Sequence, residues 1–550
     1  MSRAALALAV AICCGSLAAG TALADAFEPQ PAAAWPDDSE LEASGARIGT
    51  VTVVDRPIFD PGIPGEDRKL YRLADRAHID THASVIESQL LFKPGDPYSR
   101  RLLDETERNL RQLRFIREPE IRITDYRDGR VDLEVVTHEI WTTSPGLSFN
   151  RSGGENSASL KLEELNLFGL GKHLAFDYSD GVDRSSYTLR WRDPAVLGSR
   201  WRNEIAFRDS DDGNGESFKL ERPFYSLDTR WSAGLEAARE DTVEHVYREG
   251  EIAAGYARRR ELGELSYGWS RGLEDGWARR LTVGLRHESA EFSQAADEVM
   301  PSVLPEDRQF DYPFLRYEVL QDDFDTARNR DQIARTEDRQ FGLRYALELG
   351  LAAGAFGSDR DAAILRADAS RGFRLGDGKS LFLNGSYAGR LESAGPADSL
   401  LAAGLRFYRD TGPKSLFYAA LNAEYGHDLD ADHELLLGGD SGLRGYPLRF
   451  QTGSSRALLT VEERFFTDRS LWEIARIGAA VFFDVGRTWG GSAFGPAAEA
   501  GLLKDVGFGL RCGSSKSSLG NVLHVDVAFP LDGPKSIDSV QLLIQTKHSF

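Results

Sequence analysis

The tetrapeptide Gly439–Gly442, which reads Gly-Asp-Ser-Gly, is the segment best suited to carry a catalytic nucleophile. A serine hydroxyl attacks a substrate only when a base removes its proton and a third group orients that base. Leu443 stands where a second glycine is expected, and no histidine in an Ala-Ala-His-Cys context precedes the segment. The sequence therefore favours a glycine-rich loop over a catalytic serine, and we expect a protein that is not an enzyme.

Four carboxylates alternate with other residues just before this loop, at Asp428, Asp430, Asp432 and Glu434. They lack the glycine found at the sixth position of a helix-loop-helix calcium site. We expect a solvated acidic loop, with divalent ions bridging to anionic lipid head groups as the alternative if the loop faces outward. The sequence contains no HExxH spacing, no phosphate-binding loop and no dinucleotide fingerprint, so neither a metal nor a cofactor is predicted.

Arg444, Gly445 and Tyr446 lie in the same loop, and each of two later segments places one carboxylate among alternating residues. Along strands of period two, Glu462 and Asp484 fall on polar faces and point into one enclosed space from neighbouring strands. The loop can then bring the Arg444 guanidinium between the two carboxylates in a charge-assisted, bidentate contact. Gly445 allows the tight backbone that such a tip requires. The alternative is that Arg444 lies in an exposed loop.

The strands that must position these residues occupy Thr142 to Phe550, where the helical period is absent. Short segments alternate between apolar and polar side chains, as at Leu174, Phe176 and Tyr178, and turn-forming residues separate them. A soluble β-sandwich of this length would normally divide into domains, whereas a closed barrel in lipid needs no dense core and leaves no edge strand. We therefore predict an all-β transmembrane antiparallel barrel.

One residue breaks this alternation of apolar and polar side chains, and the last segment extends it to the C-terminus. The parity of Glu463 points it toward lipid, so we expect it near the membrane interface or at a bulge. The last segment runs through Leu542 and Ile544, and its parity carries to the terminal Phe550. We interpret this aromatic C-terminus as a barrel signal.

Residues 47–141 have a mixed pattern that predicts a small α+β domain before the barrel. Leu103, Thr106, Leu110 and Leu113 share one face of its longer helix. The predicted elements are, in chain order, a strand from Ile48, a helix over Ser84–Phe92, a helix over Arg100–Arg114, and strands over Glu120–Asp125 and Arg130–Thr137.

The N-terminus has the features of a secretory leader. Arg3 precedes an apolar stretch, and Ala22-Leu23-Ala24 offers a cleavage site. Removal of residues 1–24 takes away two of the three cysteines and leaves Cys512 alone, so no intramolecular disulfide is expected. The residues before the two leader cysteines are poor for a lipoprotein signal. Residues 25–46 are rich in Ala, Pro and acids and predict a flexible linker.

Charge and hydropathy exclude some classes of protein. The formal net charge of −20 argues against nucleic-acid binding, which needs a basic stripe. The mean hydropathy of −0.37 resembles that of a soluble enzyme. It does not exclude a transmembrane barrel, whose strands alternate between lipid-facing and lumen-facing residues.

The passages Leu435–Phe466 and Val481–Gly486 resemble the BamA/TamA superfamily of outer-membrane assembly and secretion barrels, also called the bacterial surface antigen family. The shared feature is an Arg-Gly-Phe/Tyr tip, here Arg444–Tyr446, on a long loop folded back into the lumen. Asn166–Lys172 is similar to the early barrel hairpin of that superfamily. Residues 47–141 resemble one polypeptide-transport-associated (POTRA) domain, so the resemblance covers essentially the whole mature chain.

The resemblance implies about sixteen strands. Five strand segments follow the Arg444 loop, as that architecture requires, but more segments than expected precede it, particularly across Glu244–Ser293 and Ser399–Tyr425. Either some of these form extracellular hairpins or the barrel is larger. The predicted divisions are residues 1–24 as signal peptide, 25–46 as linker, 47–141 as POTRA-like domain and 142–550 as barrel.

The family resemblance also implies a location and a function. It places the barrel in the bacterial outer membrane and the N-terminal domain in the periplasm. Client polypeptides would be inserted or exported by strand addition to a sheet edge or to a barrel seam. The expected partners are these clients, outer-membrane lipids, and periplasmic chaperones or assembly factors, with no nucleic acid. The alternatives are a dedicated two-partner-type secretion pore and a passive channel or lipid-handling barrel.

Overall fold

A computed structural model describes residues 35–59, 78–471, 475–495, 501–514, 521–547 and 549. The chain divides into two compact units, residues 1–37 and 38–550, and every element below belongs to the second unit. The predicted leader, most of the predicted linker and the terminal Phe550 lie outside the described residues.

The small domain is an α+β unit in which β1 pairs in parallel with β3, and β3 pairs antiparallel with β2. Asp128 and Gly129 both have positive φ and form the two-residue turn between β2 and β3. Among the described residues, no helix is long and apolar enough to cross a bilayer. The elements are, in chain order, α1 (Asp38–Ala43), β1 (Arg47–Arg56), α2 (Ala83–Glu87), α3 (Arg100–Arg111), β2 (Ile116–Arg127) and β3 (Arg130–Glu139).

An apolar core holds this domain together. Leu103 and Leu110 of α3 are buried against the inward face of β3, which includes Leu133. Leu41 of α1 is also fully buried in this core. The prediction of a flexible linker up to residue 46 was therefore wrong from residue 38 onward. A helix with a single apolar anchor in an acidic stretch has no periodic signal that the sequence could reveal.

Antiparallel pairing closes the remaining long strands into one barrel. Two short hairpins, β14–β15 and β21–β22, form separate two-stranded sheets and are not strands of the barrel wall. The strands are β4 (Thr143–Ser152), β5 (Glu155–Leu167), β6 (Lys172–Asp180), β7 (Ser185–Asp193), β8 (Arg202–Ser210), β9 (Gly213–Arg222), β10 (Trp231–Arg248), β11 (Glu251–Glu274), β12 (Trp277–Gln294), β13 (Arg308–Gln321), β14 (Phe324–Arg328), β15 (Thr336–Gln340), β16 (Arg344–Ala352), β17 (Ala362–Gly376), β18 (Lys379–Glu392), β19 (Gly395–Gly412), β20 (Ser415–His427), β21 (Leu435–Leu437), β22 (Gln451–Gly453), β23 (Ser455–Leu471), β24 (Ala475–Trp489), β25 (Leu503–Ser514), β26 (Val522–Pro530) and β27 (Gln541–Lys547).

The described residues form a barrel of 20 strands, so the prediction of about sixteen was wrong. Five barrel strands follow the Arg444 loop, and the surplus lies before it. The segments Glu244–Ser293 and Ser399–Tyr425 belong to strands of the wall, β10 to β12 and β19 to β20. Alternating hydropathy identifies strands, but it does not tell a strand of the wall from a hairpin that projects beyond it.

Over the middle of the barrel wall, outward-facing side chains are largely apolar, and many inward-facing ones are charged. Leu235, Leu265 and Leu285 are paired in register across β10, β11 and β12, and each is more than 40% exposed. On the inner face of β12, Arg286 forms an ion pair of 2.8 Å with Glu348 of β16. An apolar exterior around an interior of paired charges is the arrangement of a barrel that spans a bilayer.

The apolar exterior has a boundary at each end of β10 and β11. Near the small domain, Trp231 pairs in register with Trp269, and Tyr267 lies beside both rings. At the far end, outward residues form ion pairs instead, such as Arg259 with Asp241 at 2.7 Å. Because β11 has 24 residues and a membrane strand needs only about 9–11, its far half lies beyond the bilayer.

The barrel closes between its last and first strands through a weak seam. In the described part of β27 and β4, Ile544 and Arg151 are the one residue pair in register. Thr546 N additionally donates to Asn150 Oδ1 at 3.2 Å. In contrast, β10 pairs with β11 over the whole of its length, from Trp231 to Arg248.

Candidate functional site: the lumen loop and the barrel seam

The loop between β20 and β23 turns back into the lumen. Residues 428–454 form it, and β21 and β22 give its two limbs a short antiparallel pairing. Leu443 and Tyr446 at its tip are fully buried, and they pack with Leu437, Phe450 and Leu503. An apolar cluster therefore fixes the tip inside the lumen.

Arg444 lies between the two carboxylates to which the sequence pattern assigned it. Its Nε and Nη2 donate to the two oxygens of Asp484 at 2.7 and 2.9 Å, and its Nη1 donates to Glu462 Oε1 at 2.8 Å. The guanidinium carbon lies 3.4 Å from the ring centroid of Phe482, and the side chain is 5% exposed. The planar guanidinium thus joins the loop to β23 and β24 at once, which a lysine could not reproduce.

Gly445 and Tyr446 attach the tip to the next strands. Gly445 N donates to Asp505 Oδ2 at 3.0 Å, and a Cβ at residue 445 would lie 2.6 Å from the Cβ of Asp505. Glycine is therefore required here by close approach to β25. The Tyr446 hydroxyl donates to the carbonyl oxygen of Lys504 at 2.7 Å.

The ionic network around the tip is larger than the sequence analysis predicted. Arg464 Nε donates to Glu462 Oε2 at 2.8 Å, and fully buried Arg511 pairs with Asp526. Asp505 lies directly opposite Asp484 in the register of β24 and β25. The same strand parity that identified Glu462 places Arg464 and Asp526 on inner faces, so the signal was present in the sequence. We give the name latch to this network, which consists of Arg444, Glu462, Arg464, Asp484, Asp505, Arg511 and Asp526.

Three of the four acidic residues before the tip pair with arginines on the barrel wall, so the prediction of a solvated acidic loop was wrong for these three. Asp428 is the exposed member of the four. Hydropathy could not reveal this, because the partner arginines lie far away in sequence. The pairs are Asp430 with Arg390 at 2.8 Å, Asp432 with Arg308 at 2.8 Å, and Glu434 with Arg248 at 3.0 Å.

Asp398, Asp430 and His433 come close enough together to share a small cation. Arg390 already donates to both carboxylates, at 3.2 Å to Asp398 and 2.8 Å to Asp430. The guanidinium supplies the positive charge that a metal ion would bring. Ser441, the serine of the Gly-Asp-Ser-Gly segment, accepts a hydrogen bond of 2.7 Å from Gly438 N in a local turn.

A second segment, residues 322–343 between β13 and β16, enters the barrel from the small-domain end. Ile333 is buried there against Phe341 and Tyr408. Arg464 Nη1 donates to the carbonyl oxygen of Arg330 at 2.6 Å, which joins this segment to the latch. We call residues 322–343 the hairpin segment, because they contain β14 and β15.

Helix α3 of the small domain rests on this end of the barrel. Charged side chains of α3 and β2 contact both the hairpin segment and the turn between β9 and β10. The contacts include Arg111 with Asp338 at 2.8 Å, Arg328 with Glu118 at 3.0 Å, Leu227 N donating to Glu105 Oε1 at 2.7 Å, and an ion pair between Arg101 and Asp228. The small domain, the hairpin segment and the latch are thus joined by a continuous series of polar contacts.

The turn between β5 and β6 joins the small domain to the barrel. It lies in the predicted early hairpin, and Asn166, at the end of β5 just before the turn, donates through Nδ2 to Thr81 Oγ1 at 2.8 Å. Thr81 N donates to Glu139 Oε1 at 2.7 Å, and Thr137 Oγ1 donates to Asp55 Oδ1 at 3.0 Å. Burial and the neighbouring Glu139 carboxylate raise the pKa of Asp55 to about 8.

Glu463, which breaks the strand alternation, lies in the middle of β23, level with the small-domain end of β20. Its carboxylate accepts a hydrogen bond from Thr411, which precedes the turn between β19 and β20. Its register with Phe417 and Val481 is regular, so Glu463 is not part of a bulge. Thr411, at the end of β19, thus gives the outward carboxylate of Glu463 a polar partner.

No protein-family profile and no curated protein sequence match the chain. Three solved structures resemble the chain at low identity. BamA from Haemophilus ducreyi lacking POTRA domains 1–3 has 13% identity and a TM-score of 0.38, and the match covers 91% of this chain and 85% of that one. CdiB from Acinetobacter baumannii and CdiB from Escherichia coli each have 13% identity, with TM-scores of 0.44 and 0.45. These matches cover 92% of this chain, and 74% and 77% of the respective CdiB chains.

Proposed function

We propose that the chain is an outer-membrane barrel that inserts or exports client polypeptides by accepting their strands at its seam. The small domain then lies in the periplasm and acts as a POTRA-like module. The observation that carries the proposal is the seam, where β27 and β4 share one register pair in their described parts. Backbone groups left without a partner strand are costly in lipid and form a template for an incoming strand.

The latch controls this seam in the proposal. Its side chains hold β23 to β26, the strands that lead to β27. On the other side of the seam, the loop backbone at Pro447 and Leu448 packs against Gly153, in the turn that follows β4. Because one loop contacts both flanks of the seam, its release would allow the flanks to separate.

The small domain offers a second place for strand addition. In its sheet of order β1-β3-β2, the outer edge of β2 carries no partner strand among the described residues. An extended client segment could pair with this edge before it reaches the barrel. A passive channel accounts for less of the structure, because the lumen loop and the hairpin segment both lie inside the barrel.

A reversible covalent lock on the seam tests the proposal. Arg151→Cys and Ile544→Cys replace register partners, so a disulfide can form between them in a Cys512→Ser background. The matched control joins β19 and β20 through Ala403→Cys and Ala423→Cys, which are register partners in a continuous ladder. Oxidation should stop client handling in the seam variant, and a reductant should restore it.

The readouts are the yield of folded barrels in the outer membrane and the yield of polypeptide exported to the medium. Loss of the first identifies an insertion factor, and loss of the second alone identifies a secretion pore. Normal yields of both with a fully oxidised seam would overturn strand addition at this site. The control pair should leave both yields unchanged.

A further inference from the structure

The outer rim of the barrel beside the small domain carries arginines that lack the carboxylate partner found for their lumen counterparts. Arg200, Arg222 and Arg230 form no ion pair with any carboxylate in the part of the chain that the structure describes. They line a groove of about 740 Å³ between the turns at this end of the barrel and the α2–α3 region of the small domain. In a chain with a net charge of −20, a locally unpaired set of cations needs an explanation.

Aromatic rings hold two of these guanidinium groups in place. Arg200 and Arg222 lie 4.5 and 5.0 Å from the ring centroid of Tyr225, and Arg222 also lies 3.8 Å from that of Trp231. Arg200 donates to the carbonyl oxygen of Leu90 at 2.6 Å, so it also anchors the small domain. Stacking orders the arginines without neutralising them.

The position of the groove relative to the bilayer identifies the missing anion. Arg222 pairs in register with Ala233 and so shares the outward face of Leu235, at the end of the apolar band. Trp231, beside it, belongs to the aromatic row that marks the membrane interface on this side. Phosphate groups of lipids lie at that depth, and basic residues close to it attract anionic head groups.

The carboxylates that line the groove do not supply this anion, and Glu87 is exposed and forms no ion pair with these arginines among the described residues. Asp228 already pairs with Arg101 of α3, and the Asp96 carboxylate accepts a hydrogen bond of 3.0 Å from Lys93 N within its own turn. Burial and the nearby Arg222 lower the pKa of Arg200, which is the effect expected of a cation without a counter-charge.

We propose that this groove binds the phosphate head group of an anionic phospholipid between Arg200, Arg222 and Arg230. The acyl chains lie against the outward aromatic row that includes Trp231 and Tyr267. The bound lipid thereby ties the small domain, the barrel and the bilayer together at one point. This inference is independent of strand addition, because the groove lies several strands away from the seam.

The test measures lipid retention by the full-length protein in detergent, using native mass spectrometry with added phosphatidylglycerol or phosphatidylcholine. Wild type should retain phosphatidylglycerol in preference to phosphatidylcholine. Arg222→Gln and Arg200→Gln should each weaken that retention about fivefold, equivalent to ~1 kcal/mol per cation near a lipid surface. Among the described residues, the side-chain contacts of Arg222 are with Tyr225 and Trp231 of the barrel, so the effect of Arg222→Gln does not depend on domain docking.

Arg371→Gln is the matched control. Arg371 is exposed at the same end of the barrel, stacks 5.1 Å from the Phe373 ring centroid, and has no carboxylate partner among the described residues, but it lies outside the groove. Its replacement should leave retention unchanged. Equal retention by wild type and both groove variants, or complete displacement of the lipid by inorganic phosphate, would overturn the lipid assignment.

Discussion

In the small domain, apolar side chains meet in an interior formed by α1, α3 and β3. In the barrel, apolar side chains point outward, and the latch fills the interior with ions. The barrel therefore cannot define its loop position by apolar burial alone, and it uses directional charge-assisted contacts instead. We therefore expect truncation of buried apolar side chains to destabilise the small domain, and removal of one partner of a buried ion pair to release the loop inside the barrel.

The largest expected effect is on the barrel side of this comparison. Arg444→Ala leaves Asp484 without its bidentate partner and leaves Glu462 paired with Arg464 alone, and breaking such a buried pair costs about 3–5 kcal/mol, less if water enters. We expect the barrel to insert, the loop to become open to protease, and client yield to fall. Limited proteolysis of the loop checks this. Arg444→Lys should give an intermediate result, and protection of the Ala variant equal to wild type would show that the latch is not required.

On the small-domain side, Leu110→Ala removes a fully buried side chain and should cost about 2–5 kcal/mol. Hydrogen exchange in the full-length protein should show lost protection in α3 and β3, while the barrel strands remain protected. Ile79→Ala, at a side chain that is 53% exposed, serves as the control. Equal loss of protection in the barrel strands would contradict the separation of the two cores.

Gly445→Ala tests how closely the tip is fitted. The added Cβ would lie 2.6 Å from Asp505 Cβ, so the tip must move away from β25, at a cost of about 1–3 kcal/mol. We expect partial loop release, measured by the same proteolysis. Gly354→Ala, where a Cβ meets nothing within 4 Å, should behave as wild type. A fully protected loop in the Gly445 variant would mean that the tip can shift without losing the latch.

The last effect is local to the joint between the two regions. The pKa of Asp55 is raised to about 8 in the folded protein, against about 3.9 when unfolded. Its contribution to stability is therefore complete below about pH 4 and is lost as the pH rises through about 8. After correction for the intrinsic pH dependence of amide exchange, the protection of β3 should fall over that range in wild type, and Asp55→Asn should lose this extra dependence. The same pH profile in both proteins would assign the effect to another group.

The sequence predicted the parts of this molecule that depend on local periodicity. Alternation identified the barrel, and strand parity placed Glu462 and Asp484 on inner faces. The three stabilising pairs of the acidic residues were missed, because Arg248, Arg308 and Arg390 lie on strands far away in the sequence. Closure of the wall with 20 strands was also missed, since it depends on how strands tilt and pair.

The far half of β11 extends well beyond the bilayer and makes the barrel wall uneven in height. If the bilayer ends near Gly263, the twelve residues from Glu251 to Leu262 extend roughly 40 Å along the strand at about 3.4 Å per residue. Together with β10 and β12 they form a tall section of wall on one side of the barrel mouth. The strands at the seam, β4 and β27, are shorter, so the wall is lower there. A large particle that approaches from this end meets these three strands first, so access to the barrel mouth differs around the rim.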